Sequence, residues 1–386
     1  MKNEKKKVIF IRSNPINPDS RVENEIDYLI GNYDIEALGW DRRGENKKIE
    51  KRKNFTIFRH RGRGNYGSGL KNIIPLLKWW VYEFIWLMDR DFDFIHACDF
   101  DTYLPALLIV KIKRKKIIYD IFDFYAYLVA ATVPLFFRKI IKKIDLFLIK
   151  FADGVIITDE GRLRQIYRSN PKKIISLYNT PPDLYESFKQ DTKDIPKNKK
   201  FVVGYMGLIE KNRGLDSIIN IVSKRNNRDE LELIIGGEGP YKAEMIEKIK
   251  VQNIRNIKII GRIPYKDSLK MLSKCDAMFA LYDPRMPNYK YSSPNKLFEA
   301  MMFGRPIIVS RNTSMDKIVE RYKCGIVIDY GNEERLQEAI SELINLKKNG
   351  ENPYGKAGRK IYLTVFHPNI MQERLIQFYK SIDSKE

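Results

Sequence analysis

The stretch Ser292–Pro306 reads S-S-P-N-K-L-F-E-A-M-M-F-G-R-P, and its order of residue types predicts a short helix followed at once by a strand. Ser293 suits the N-cap and Pro294 the first helical position. Lys296, Leu297, Glu299, Ala300 and Met301 are helix formers. Gly304 closes the helix, and Arg305-Pro306 leads into the strand Ile307–Ser310. A helix start presents free backbone N–H groups and the positive end of the macrodipole, and both favour a diphosphate. Lys296 adds a mobile cation at that end. Glu299 lies one turn on and shares a face with Asn295 and Lys296. A carboxylate on that face can accept hydrogen bonds from both hydroxyls of a ribose. On spacing alone the pattern also fits an ordinary capped helix with a surface glutamate.

Outward from this stretch the chain alternates strand and helix. Apolar β-rich runs at Val8–Ile11, Phe94–His96, Lys116–Tyr119 and Gly154–Thr158 are separated by helical patterns at 22–30, 73–88, 103–112 and 137–152. The polar segment 183–200 reads as a linker. Alternation then resumes with strands at Phe201–Tyr205, Leu231–Ile235, Ile257–Ile260, Ala277–Ala280, Pro306–Ser310 and Gly325–Ile328. Such alternation predicts an α/β chain of two doubly wound parallel-sheet domains. Ligands in such folds bind beyond the carboxyl ends of the strands. The expected organisation is residues 1–190, residues 191–365, and a final helix within 366–386 that crosses back to the first domain.

The 386 residues suit two domains, and 44% hydrophobic content is enough for two cores. Seventy Lys and Arg against 49 Asp and Glu give a formal charge of +21, which favours polyanionic partners. Cys98, Cys275 and Cys324 are far apart and odd in number, which fits neither a disulfide framework nor a zinc site but does fit a reducing cytoplasm. Met1 to Lys7 runs straight into a strand and reads without a secretory leader. Lys78 and Glu83 interrupt the apolar run Ile73–Met88, which argues against a membrane span.

The motif P-N-K-L-F-E-A-M-x-x-G-x-P resembles the donor-site segment of the family-4 retaining glycosyltransferases, whose GT-B fold is two Rossmann-like domains facing across a cleft. The resemblance extends along the chain. Asn14-Pro15 through Val22-Glu23, Leu38–Arg42, His96–Asp99, Tyr119–Asp123, Asn179–Pro182, Gly204–Gly214, Gly236–Pro240 and Gly261–Pro264 resemble successive loops of that family. It implies that Glu299 holds the ribose hydroxyls. It implies that the backbone around Pro294, Asn295, Lys296 and Leu297 meets the diphosphate, with Gly207 and Gly237 as close-approach loops. Arg213 stands where the family neutralises the departing diphosphate, and Arg262-Ile263 where it meets the base. Arg213 and Lys296 are thus the expected catalytic cations, with Asp120 and Asp123 (and Asp99) as candidates for a base.

The implied reaction is transfer of a sugar, with anomeric retention, from a UDP- or GDP-sugar to a glycan or lipid-linked acceptor in cell-surface polysaccharide or glycoconjugate synthesis. No cofactor and no obligatory metal are implied. Three departures from the family pattern bear on this. Tyr291 stands where many relatives carry a first glutamate, Leu208 where an arginine follows the glycine, and Phe122 where a histidine is common.

Basic residues concentrate in the first domain, at Arg42–Lys53 and in the loop carrying Arg59, Arg61 and Arg63. The pattern 137–151 is amphipathic with flanking Lys139, Lys142, Lys143 and Lys150, and 73–88 carries Trp79, Trp80, Phe84 and Trp86. Both fit an anionic membrane surface, and both equally fit burial against a sheet. The expected location is cytoplasmic, peripheral on the inner face of the cell membrane. The alternatives are a nucleotide-sugar epimerase on the same fold and a basic nucleic-acid-binding protein. No specific nucleic-acid motif supports the latter.

Overall fold

The computed structural model describes residues 5–64, 69–129, 132–189, 200–224 and 229–384. The chain divides into two units. One runs to Asn179 and takes in the residues from Asn369 onward; the other is Thr180–Pro368. The division falls ahead of the polar segment expected to link the domains. Residues after Asn179 are held by the second unit: Tyr362 donates to the Pro181 carbonyl at 2.7 Å and Arg359 binds the Asp183 carboxylate at 2.9 Å. Residues 190–199 of that segment lie outside the described residues.

The first unit holds an eight-stranded sheet of order β3-β4-β2-β1-β5-β6-β7-β8. Its strands are β1 (Lys7–Arg12), β2 (Asp34–Asp41), β3 (Ile49–Lys51), β4 (Thr56–Arg61), β5 (Phe94–Cys98), β6 (Lys116–Ile121), β7 (Gly154–Ile157) and β8 (Ile174–Ser176). All pairs are parallel except β3 with β4. The short pair β3–β4 absorbs part of the basic run. Arg59 is not a loop cation: it is buried on β4, donates to the Pro15 carbonyl at 2.6 Å and pairs with Glu50 at 2.7 Å. Arg52 pairs with Glu50 at 2.8 Å and also with Glu23. Buried guanidinium groups must be paired, so these arginines stitch the edge of the sheet together. The glycine-rich residues 65–68 lie outside the described residues.

On one face of this sheet lie helices Ile73–Met88, Phe100–Lys113 and Leu135–Ile149. Ile9, Ile11, Leu38, Ile95 and Ile117 pack there with Trp79, Leu87, Tyr103 and Ile149. The tryptophans expected at a membrane face inward instead. Trp79 is fully buried and stacks on Trp40 with centroids 5.6 Å apart, and its indole N–H reaches the Asp101 carbonyl at 3.2 Å. On the other face the final helix Pro368–Asp383 brings Tyr379 to His96 on β5, with oxygen and Nδ1 2.8 Å apart.

The second unit holds a six-stranded parallel sheet of order β11-β10-β9-β12-β13-β14. The strands are β9 (Phe201–Met206), β10 (Leu231–Gly236), β11 (Ile257–Ile260), β12 (Ala277–Ala280), β13 (Ile307–Ser310) and β14 (Gly325–Ile328). β9, β12 and β13 are buried along their whole length, as parallel strands covered by helices on both faces must be. Relabelled from β9, the order is 3-2-1-4-5-6. Connections leave β9 in one direction and β12 in the other, so a crevice opens beyond their carboxyl ends.

One buried group makes the first unit sensitive to pH. Asp145 is inside the helix layer, where burial pushes its carboxyl up to about 7 against the hydrogen bond donated by Tyr119. An unfolded aspartate titrates near 4. The stability from proton uptake by Asp145 is therefore present below about pH 4 and is lost as pH rises through about 7. Asp145→Asn is expected to gain roughly 1–4 kcal/mol over the native chain between pH 4 and 8 in denaturant unfolding. A difference that does not change with pH would show that Asp145 carries no proton in the fold.

Candidate active site

The helix predicted from the opening motif is present as Asn295–Met302, and Gly304 takes φ +60 beyond it. Its start differs from expectation. Pro294 holds the cap position in extended conformation, and Ser293 makes no capping bond. Leu297 is fully buried in the core, and its N–H is already given to the Pro294 carbonyl at 3.0 Å. Leu297 therefore does not serve the anion site expected there. Lys296 and Glu299 are not surface residues: they are 7% and 4% exposed.

Beyond the carboxyl ends of β9 and β12 is a cavity of about 600 Å³. Gly207, Arg213, Gly237, Arg262, Ile263, Pro294, Asn295, Lys296 and Glu299 all line it. The structure thus brings together, within one unit, every expected donor-site residue except Leu297. The floor is made by two glycine turns. Gly207 has φ +148, and a Cβ on it would fall 2.7 Å from the Lys296 ammonium. Gly237 has φ +133, and a Cβ on it would fall 1.9 Å from the Gly207 carbonyl oxygen. Only glycine lets these backbones close up and leaves room for Lys296.

Four tyrosines shape the charges of this cavity, and the sequence reading did not single them out. The Lys296 ammonium lies 4.4 Å from the centroid of the Tyr205 ring, a face that attracts a cation. Arg213 stacks over Tyr282 and Tyr289, at 4.7 and 5.0 Å, and donates to the Tyr282 hydroxyl at 2.9 Å. Tyr265 donates to Glu299 Oε1 at 3.0 Å. Burial raises the Glu299 carboxyl above its ordinary range, and Lys296 and the Tyr265 hydroxyl only partly offset this. Tyr205 stands on β9 and Tyr282 just beyond β12, the two central strands. That place in the alternation was the available signal. Leu208 also lines the cavity and brings no charge.

In the first unit Asp120 is enclosed. Arg21 binds its carboxylate at 2.9 Å, His96 Nε2 approaches at 3.3 Å, and neither Asp120 nor His96 has exposed surface. Burial alone would raise the Asp120 carboxyl, but Arg21 and His96 hold it down at about 2. Asp120 is thus a fully buried counter-ion of Arg21 and is not among the residues that line the space beside Asp123. Asp123 lines a space of about 420 Å³ beyond β1 and β5, with Arg12, Arg42, Asp99, Asp101 and Tyr125, and it pairs with Arg162 at 2.9 Å. Asp99 accepts the Phe122 N–H at 2.8 Å and binds Arg12, and burial pushes its carboxyl up to about 6. Phe122 is stacked by two guanidinium groups, Arg12 at 4.2 Å and Arg21 at 4.8 Å. That explains how an apolar ring is held among charges. Among the described residues His96, Cys98 and Asp120 are the one group whose ligand atoms lie close enough to share a metal ion, and all three are buried.

Two Rossmann-like units in series are the fold shared by the GT-B glycosyltransferases, and the second unit carries a cationic cavity bearing a carboxylate at its switch point. Residues 187–361 match the family described as glycosyl transferases group 1. The chain is similar to the capsular polysaccharide biosynthesis glycosyltransferase CapM of Staphylococcus aureus, at 23% identity over 245 residues, 60% of this chain and 62% of that one. The match thus spans less than two thirds of that relative's length. In structure it is similar to sucrose-phosphate synthase from Thermosynechococcus elongatus, with TM-score 0.78 and 14% identity over 98% of this chain and 99% of that one. It is also similar to HepE from Anabaena in complex with UDP and glucose, with TM-score 0.71 and 14% identity over 97% and 100% of the two chains.

A ribose held by Glu299 needs the carboxylate ionised. Thermal stabilisation by UDP or GDP is expected to weaken as pH falls through the raised Glu299 range. It should be lost in Glu299→Ala and be both weak and flat with pH in Glu299→Gln. Undiminished stabilisation in Glu299→Ala would remove this residue from the site.

Proposed function

We propose that this chain transfers a sugar, with retention at the anomeric carbon, from a UDP- or GDP-sugar to a glycan or lipid-linked acceptor. The setting proposed is cell-surface polysaccharide or glycoconjugate synthesis, with the enzyme peripheral on the inner face of the cell membrane. The observation that carries the reading is the convergence of Glu299, Lys296, Arg213 and the two glycine turns on one cavity at the switch point of the second sheet. The fit to a nucleotide diphosphate is chemical. Glu299 accepts the ribose hydroxyls, the exposed Arg262 with Ile263 borders the base, and the diphosphate meets the helix start and the two cations. The relative in capsular polysaccharide synthesis and the neighbour solved with UDP and glucose support the substrate class.

The barrier is lowered by stabilising charge on the departing diphosphate. Lys296 and Arg213 are fixed beforehand by tyrosine rings, so they need no reorganisation as that charge develops. We propose that these two cations do this without an obligatory metal ion. The acceptor is assigned to the first unit, in the space lined by Asp99, Asp101 and Asp123, whose carboxylates suit sugar hydroxyls. Asp123 and Asp99 are the candidates there for a base; Asp120 is reserved for holding Arg21 in place.

Lys296→Ala and Arg213→Ala are each expected to lower kcat by about 10²–10³, measured as acceptor-dependent release of the nucleotide diphosphate. Activity should survive a chelator, and proton NMR of the product should show the donor's anomeric configuration. Sugar isomerisation without acceptor would favour an epimerase. Full activity in both variants would overturn the assignment of the leaving-group site.

A further inference from the structure

The helix Leu135–Ile149 carries apolar residues on two faces: Ile141, Leu146, Leu148 and Ile149 pack against the core, and a second set does not. Only Asp145 and Ile149 on it are buried. Phe136 is 68% exposed, and Phe137, Ile140, Ile144 and Phe147 are exposed as well. The apolar stripe that fitted either a membrane or the sheet is thus divided: Ile141, Leu148 and Phe151 pack against the core, and Phe137, Ile140, Ile144 and Phe147 look away from it. The two helices beside it share this habit. Trp79, Trp80 and Asp101 tie Ile73–Met88 to Phe100–Lys113, and Tyr103 donates to the Leu148 carbonyl at 3.1 Å. Ile74, Val81 and Ile85 on the one, and Leu108 and Ile112 on the other, are exposed. Single exposed apolar residues are ordinary, but a run of them across three neighbouring helices marks a binding surface.

Charge says what binds there. Between Leu135–Ile149 and the segment around Leu163–Ile166 lies a groove of about 480 Å³. Lys139, Lys142, Lys143, Arg164 and Arg168 line it together with Phe136 and Ile140, and none of its lining residues is acidic. Lys150 adds a cation 3.9 Å from the centroid of the exposed Phe147 ring. A groove walled by cations, opening beside aromatic and aliphatic side chains, matches a phosphate headgroup that carries acyl chains. A partner protein would find the apolar residues suitable but would need a matching acidic ridge. No helix among the described residues is long and apolar enough to cross a membrane, so contact would be from one side.

We infer that this outer helix face docks on an anionic phospholipid bilayer. Lys139, Lys143, Arg164 and Arg168 hold headgroup phosphates in the groove, and Phe136, Phe137, Ile140 and Phe147 enter the acyl boundary. The inference rests on the peripheral location proposed above and gives it a surface; it is independent of the donor chemistry.

The test is co-sedimentation of the full chain with vesicles of pure phosphatidylcholine, and with vesicles of equal parts phosphatidylcholine and phosphatidylglycerol. UDP-induced thermal stabilisation is measured on the same samples. The native chain should bind the anionic vesicles and bind less as salt is raised. K139A/K143A should bind about 25-fold more weakly, at about fivefold per cation. F136S/F137S should lose at least about tenfold. Both variants should keep the native melting temperature and response to UDP, because these side chains are exposed and lie outside the donor unit. Failure of the native chain to bind would overturn both this surface and the peripheral location. Native binding undiminished in both variants would keep the location and overturn this surface. Competition by free glycerol phosphate as strong as by vesicles would show a pocket for a soluble phosphate. A dimer in solution that F136S/F137S dissociates would show a second copy on this face. Either result overturns the bilayer assignment. Loss of the UDP response in native protein would instead count against the transferase reading.

Discussion

A lysine ammonium and a glutamate carboxylate, both withdrawn from water, stand on the first turn and a half of one eight-residue helix. Burying such groups is costly unless the surroundings answer them. Here the surroundings are specific. The ring of Tyr205 faces Lys296, the hydroxyl of Tyr265 is donated to Glu299, and two glycine turns give up their side chains to make the space. A fold optimised for stability alone would have put apolar residues at both positions. The pair makes sense when a ligand completes it, with hydroxyls for the carboxylate and phosphate oxygens for the ammonium. The order of the second sheet follows from the same need, since the crevice that admits such a ligand opens only where the connections from β9 and β12 diverge.

Much of this was legible in the chain. The six strands of the second unit are within about a residue of their expected ends, because buried parallel strands are short continuous apolar runs bounded by glycine and charge. The resemblance carried by Pro294 to Pro306 placed Gly207, Arg213, Gly237 and Glu299 near one another, and the structure does so. What was not legible is what depends on distant partners. Ser293 has the chemistry of a cap, yet Pro294 takes the cap position. Leu297 has an N–H near the helix start, but the first turn consumes it. Asp120 looked available in sequence; the partners that enclose it, Arg21 and His96, are 99 and 24 residues away. The tyrosines escaped notice because nothing local distinguishes a tyrosine that meets a cation from one that fills a core.

The first unit shows the same limit in its helices. Amphipathicity gave the stripe on residues 137–151 but not its direction, because a helix presents the same periodicity to a core and to a membrane. The tryptophans of residues 73–88 pack inward, whereas Ile73, Ile74, Leu77, Val81 and Ile85 are exposed, opposite to what aromatic content alone suggested. The basic residues divide in a similar way. Arg52 and Arg59 are structural, held by carboxylates and carbonyls, whereas Lys139 and Lys143 remain exposed on the helix surface. Net charge therefore overstates the cationic surface along the β3–β4 edge and is informative at the helix layer.

The central claim is that the second unit's cavity is a seat for a nucleotide diphosphate built around Glu299 and Lys296. A crystal structure of the chain with UDP or GDP tests it most directly. The account predicts ribose hydroxyls within hydrogen-bond distance of the Glu299 carboxylate, and a diphosphate against the start of the helix Asn295–Met302, in contact with Lys296 and Arg213. A nucleotide bound elsewhere, or one whose phosphates point away from Lys296 and Arg213, would contradict it.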